Sequence, residues 1–174
     1  MDATTAPAKG SVTVADGTKA VTFKDGDVTF ARGMIPHHEQ AIEMADMALD
    51  PNAGASAAIK AIATKIKAGQ DPEIKQMTAL LTSWGKPVPM EMAGHDMAAM
   101  DGMMSSKDMT SLGTLKGAAF DKTWATMMIA HHKGAINLAE TVKTAGSDPD
   151  IQKLATNVIT AQQAEIAQLQ PLAG

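Results

Sequence analysis

The stretch Met34-Ile35-Pro36-His37-His38 returns 94 residues later as Met128-Ile129-Ala130-His131-His132, and four of the five histidines sit in these two copies. A repeat of this length is a supersecondary unit, too small to bury its own apolar face, so two copies are expected to cover one another. The flanks agree with that reading. Asp27 matches Asp121, Phe30 matches Trp124 and Ala41 matches Ala135 at the same offset. Further on, Gln70-x-x-Glu73-Ile74 matches Gln162-x-x-Glu165-Ile166.

The periodicity around each copy is helical. Phe30, Met34, His37, Ala41, Met44 and Ala48 form one stripe, and Ala31, Ile35, His38, Ile42, Ala45 and Leu49 form the stripe beside it. Both histidines therefore face the core of a helix expected from an Asp27 N-cap to about Leu49. Pro36 is expected to kink it. A second helix is expected from about Ala55 to Trp84-Gly85, with Pro72 kinking or splitting it. A third should run from about Ala118 to Ala145 and a fourth from about Pro149 to Leu169. A short helix fits Ser106 to Lys116. Residues 1–26 read as an arm or a short hairpin around Asp16-Gly17. The expected architecture is all-α: residues 27–174 form a four-helix bundle of two repeated helical hairpins about a pseudo-twofold axis. Repeat one spans 27–85, a connector 86–107, and repeat two 118–170.

Composition narrows the function. Aromatics make up 3% of the chain and tyrosine is absent, which disfavours β-sandwiches and barrels. A net charge of -4 argues against nucleic-acid binding. The absence of cysteine removes disulfides, thiolate zinc sites and thiol nucleophiles. No apolar run approaches the ~18 residues of a membrane span. The first residues contain no hydrophobic signal region, which taken alone reads as cytoplasmic. A Thr/Ala/Pro-rich start also suits the mature part of an exported chain behind an added Met.

Methionine is the outlier, with 14 residues. Met90, Met92, Met97, Met100, Met103 and Met104 surround His95 in the connector, among Gly, Pro and Asp that offer little core to bury them. Two or three thioethers with His95 make a Cu(I) site of low coordination number, working without thiolate deprotonation. The competing reading is an adaptable loop over an apolar bundle end.

The pattern Phe-x3-Met-Ile-x-His-His-x2-Ala-Ile-x-Met-Ala, followed by Gln-x2-Glu-Ile-x2-Met, resembles the family called domain of unknown function number 305, over about residues 27 to 170. The resemblance implies a ferritin-like four-helix bundle, often exported by bacteria, with members linked to copper binding and copper resistance. The second copy departs modestly from the first. Leu138 stands where Met44 is and Leu169 where Met77 is, so symmetry does not support Met44 as a ligand.

Residues three and four apart share a helix face. Met34 thus reaches toward His37 and His38, and Met128 toward His131 and His132, with Met127 four before His131. Such thioether–imidazole sets suit Cu(I) and, by extension, silver; imidazole also accepts Cu(II) or Zn. Counting outward from the turns places Gln70 and Glu73 level with His37 and Met34, and Gln162 and Glu165 level with His131 and Met128. These four side chains are expected to hydrogen-bond the histidines, as the outer partners of metal ligands or as partners of purely structural buried histidines. The leading expectation is a metal-binding protein that sequesters or relays Cu(I), served by a copper-delivery protein. No nucleophile pairs with a histidine, so an enzyme is the less favoured reading; in that case the chain is a di-metal oxidoreductase, although Glu-x-x-His is missing. A metal-free interaction domain is the third.

Overall fold

The computed structural model describes residues 22–90 and 100–174. Within them lie five helices: α1 (Asp25–Leu49), α2 (Ala57–Ser83), α3 (Ser106–Thr114), α4 (Gly117–Ala145) and α5 (Pro149–Ala173). The four long helices form the bundle. α1 packs against α2 and α4 against α5 as hairpins, and the hairpins meet chiefly along α1 and α4. The short α3 lies on α4 and inserts Leu112 fully into the core. No described helix is long and apolar enough to cross a membrane.

Several boundaries differ from the sequence expectation, each for a local reason. Asp27 is not the N-cap of α1. It lies inside the first turn, where its carboxylate accepts from Lys24 N at 2.8 Å. The same carboxylate reaches the α4–α5 turn and accepts from Ser147 N at 2.9 Å and Asp148 N at 3.2 Å. Its counterpart Asp121 accepts from Ser56 N, the N-cap position of α2, at 3.1 Å. Each hairpin thus ties the entry of the other hairpin's second helix. α2 begins at Ala57 rather than Ala55 because Ser56 Oγ caps Ile59 N. Pro72 does not split α2: the carbonyl it leaves without a partner belongs to Ala68, which is exposed to water. α1 likewise runs through Pro36 without a break. α5 continues past Leu169 to Ala173. The hairpin expected around Asp16-Gly17 lies outside the described residues.

The core falls into two apolar clusters. One gathers Ala41, Met44, Ala45 and Ala48 of α1 with Ile59, Ile62 and Ile66 of α2, Phe120, Trp124 and Met128 of α4, and Leu169 of α5. The other gathers Phe30, Met34 and Ile35 of α1, Met77 and Leu81 of α2, Ala135, Ala139 and Val142 of α4, and Ile151, Leu154 and Val158 of α5. Along every long helix the sequence between these sets is polar and buried: His37 and His38, Gln70, His131 and His132, Gln162. A polar layer therefore divides the bundle at mid-height. Trp124 in the first cluster donates Nε1–H to the Met44 carbonyl at 2.7 Å, joining α4 to α1 about two helical turns from that layer.

Replacing Asp27 by Ala strands buried backbone donors of the α4–α5 turn. It is expected to lower stability by about 3 kcal/mol in denaturant melts, within the range for a broken buried charge-assisted network. Asp121→Ala, whose bonds to Ser56 are exposed, should cost less than about 1 kcal/mol.

Candidate metal centre

The polar layer is built from two like halves. His38 Nε2 lies 2.7 Å from Glu73 Oε2, and His132 Nε2 lies 2.6 Å from Glu165 Oε2. A carboxylate only accepts, so Nε2 carries the proton in both rings. In the neutral ring that leaves Nδ1 as a bare lone pair, and both Nδ1 atoms are buried with no partner among the described residues. The two carboxylates are about one-fifth exposed while the imidazoles are wholly buried. Each dyad runs from solvent inward and ends in a nitrogen lone pair, which is the arrangement by which carboxylates orient metal-ligating histidines.

His37 and His131 occupy the centre, one from each hairpin, with ring centroids 3.9 Å apart and planes tilted by 48°. His37 Nε2 donates to the Asp101 carbonyl at 3.1 Å, which again leaves a buried Nδ1 without a partner. Both nitrogens of His131 lack a partner among the described residues. Burial, reinforced by the neighbouring His38, lowers the His37 pKa to about 4. Burial first and His37 second hold His131 well below the usual histidine range. Two neutral imidazoles thus face each other at the core. Met34 and Met128, one turn earlier on α1 and α4, are fully buried. Met127 is partly buried against the first cluster.

The two glutamines behave otherwise than expected. Gln70 and Gln162 are buried in the layer, yet among the described residues neither amide atom of Gln70 has a hydrogen-bond partner, nor does Oε1 of Gln162. The glutamates bond His38 and His132 rather than His37 and His131, because those are the rings on the stripes that face α2 and α5. Among the described residues, no three His, Asp or Glu side chains converge closely enough to hold a metal ion. The layer therefore offers pairs of imidazoles beside thioethers rather than a carboxylate-rich cage. Such a set fits a soft, low-coordinate ion better than iron or zinc.

The connector divides into two parts. Met92, His95 and Met97 lie outside the described residues. Met90 is 84% exposed, and Met90 and Met100 line one groove of about 570 Å³ on α1 with Gly33 and Pro36. Met103 is instead buried and Met104 packs against the first apolar cluster, so these two do find core, contrary to the expectation from their Gly- and Asp-rich neighbourhood. Here the chain turns back over the bundle before α3. Gln40, Asp101 and Asn137 escaped the sequence reading. Their contacts span 36 to 64 residues and leave no local periodic signal.

The family model described as a domain of unknown function (DUF305) matches residues 27–173. Among solved structures, a DUF305 protein of Streptomyces coelicolor, described as a candidate secreted protein, is 27% identical. It covers 84% of this chain and 91% of that chain, with a TM-score of 0.75. A DUF305 fragment from Deinococcus radiodurans is 27% identical, covering 86% and 96%, with a TM-score of 0.76. CopM in its Cu(II)-bound form is 34% identical, covering 84% and 95%, with a TM-score of 0.73. CopM has also been solved with Cu(I), with silver and in the apo form. No curated protein matches the chain.

Two outcomes test the centre. His37 binds its proton at about pH 4 when folded and near 6.5 when unfolded. The unfolded chain therefore takes up more protons below 6.5. The stability due to the neutral ring is fully present above pH 6.5 and lost as pH falls toward 4, about 3 kcal/mol for this group in denaturant melts. His131 makes no hydrogen bond among the described residues, so His131→Leu should leave the metal-free chain as stable or up to about 2 kcal/mol more stable. A loss above about 2 kcal/mol would mark His131 as a structural tie.

Proposed function

The chain belongs to the DUF305 family, and from that premise we propose that it is a copper-handling protein, binding Cu(I) and by extension Ag(I) to sequester or relay the ion. One observation carries the reading. Five buried imidazole nitrogens, from all four paired histidines, lack a partner among the described residues. A core whose only task is cohesion would satisfy such atoms or replace them with apolar groups, since each unmade bond costs about 1–3 kcal/mol. One of the two His131 nitrogens carries the ring's proton; a soft cation bound to the lone pairs of the others offsets that cost.

Division of labour follows from exposure. The exposed Met90 and the half-buried Met100, with Met92, His95 and Met97 of the intervening segment, are the capture site. His37, His38, His131 and His132, with Met34, Met127 and Met128 beside them, hold the ion. Glu73 and Glu165 orient His38 and His132 and set which ring nitrogen is free. Thioether and imidazole donors need no thiol, which suits an oxidising compartment outside the cytoplasm. The description of the Streptomyces coelicolor relative supports export. A copper-delivery protein would supply the ion. The di-metal oxidoreductase reading loses ground here. Glu73 and Glu165, the carboxylates at the layer, are both taken up by histidine.

The test is a titration of the metal-free chain with Cu(I) against a competing chelator of known affinity. The wild-type chain should withdraw copper. His131→Leu should lose about one order of magnitude or more in affinity, and Glu73→Gln about tenfold through loss of ring orientation. Wild-type chain that takes no copper from even a weak chelator would end this reading.

A further inference from the structure

The segment from Asp101 to Met104 does more than lead into α3. Its backbone is clamped to both hairpins over the central histidine pair. Gln40 of α1 donates Nε2–H to the Met104 carbonyl at 2.9 Å and accepts Met104 N–H on Oε1 at 2.8 Å. The Asp101 carbonyl takes the proton of His37 Nε2, and the Asp101 carboxylate accepts from Asn137 Nδ2 of α4 at 2.6 Å. The approach to α4 is so close that a Cβ on Gly134 would stand 2.0 Å from the Asp101 carbonyl oxygen. A Cβ on Gly102, which has φ +78°, would stand 2.7 Å from the Ala130 carbonyl oxygen and 3.0 Å from that of His131.

We propose that Asp101–Met104 is a clasp closing the His37–His131 pair, so that an ion entering or leaving that pair requires its release. The clasp also positions His37. By accepting from Nε2 it keeps the lone pair on Nδ1, within the core. It deepens the copper reading and rests on it only for the identity of the ion. The geometry explains why a polar Gln40 is buried on α1 between Pro36 and Met44: its amide matches one backbone carbonyl and one N–H, and that pairing fixes the register of the clasp. It also explains why a residue without a side chain, Gly134, stands inside the continuous helix α4 just after the two histidines.

The test reads access without metal. In the apo chain, diethyl pyrocarbonate acylates histidines with a reachable lone pair, and mass spectrometry follows each of the two histidine pairs. Gln40→Leu keeps the volume and removes both bonds to Met104. It is expected to raise acylation of His37 and His131 about tenfold or more. Asn137→Ala, at an exposed position, should raise it by a smaller factor and serves if Gln40→Leu folds poorly. Ile151→Val, in the first turn of α5, is the control at matched melting temperature. Unchanged rates in folded Gln40→Leu and Asn137→Ala overturn the clasp, and so does an equal rise in Ile151→Val, which would mean access by general opening. Ag(I) uptake by the same proteins should quicken in parallel. Faster acylation with no silver bound by any variant would uphold the clasp and count against the copper reading instead.

Discussion

Burying four imidazoles and two amides at mid-height is the constraint on which the rest of this bundle depends. An apolar layer would be simpler and more stable. Polar groups inside a protein are tolerated when each has a partner, and here several nitrogens have none among the described residues. The apolar clusters above and below, filled by Ile, Met, Leu, Phe and Trp, supply the stability that lets such a layer persist. Stability and chemistry are thus divided by height along the same four helices.

Doubling of the sequence organises that layer but does not make it symmetric. The dyads His38–Glu73 and His132–Glu165 are alike in distance and exposure. His37 and His131 are not. His37 is tied to the Asp101 carbonyl, whereas His131 has no hydrogen-bond partner among the described residues. The difference arises outside the repeat, in the connector, which exists once and can lie over only one side of the axis. Asp27 and Asp121 show the same pattern: equivalent tasks, with the first buried and the second half-exposed. A duplicated fold carrying one asymmetric strap can hold two similar donors in different states of readiness.

Burial also decides the proton chemistry. A charged imidazolium in this layer would be costly, so His37 and His131 stay neutral well below the usual histidine pKa. Neutral rings are what a soft cation requires. The outer glutamates act from the solvent side, each about one-fifth exposed, and transmit their effect inward through a single hydrogen bond. The two ends of the described connector converge on one groove of α1 beside Pro36, one turn from the histidines. The exposed methionine groove and the buried histidine layer are therefore neighbours in space.

The sequence by itself determined the helical class, the doubled hairpin and the inward direction of His37, His38, His131 and His132, because a 3.6-residue period places residues on faces without reference to anything distant. It also brought Glu73 and Glu165 to the histidine level, since residues equidistant from a tight turn must face each other in a hairpin. It erred on Gln70 and Gln162, which reach the layer but show no hydrogen bond to a histidine among the described residues, because the count from a turn gives height and not the direction of a side chain. It also erred on Met103 and Met104, whose burial depends on where α3 folds back. The contacts of Gln40, Asp101, Asn137 and Gly134 belong to tertiary structure alone. They join segments dozens of residues apart through backbone carbonyls and close approach, and neither composition nor periodicity carries information about which distant backbone will lie across a given face.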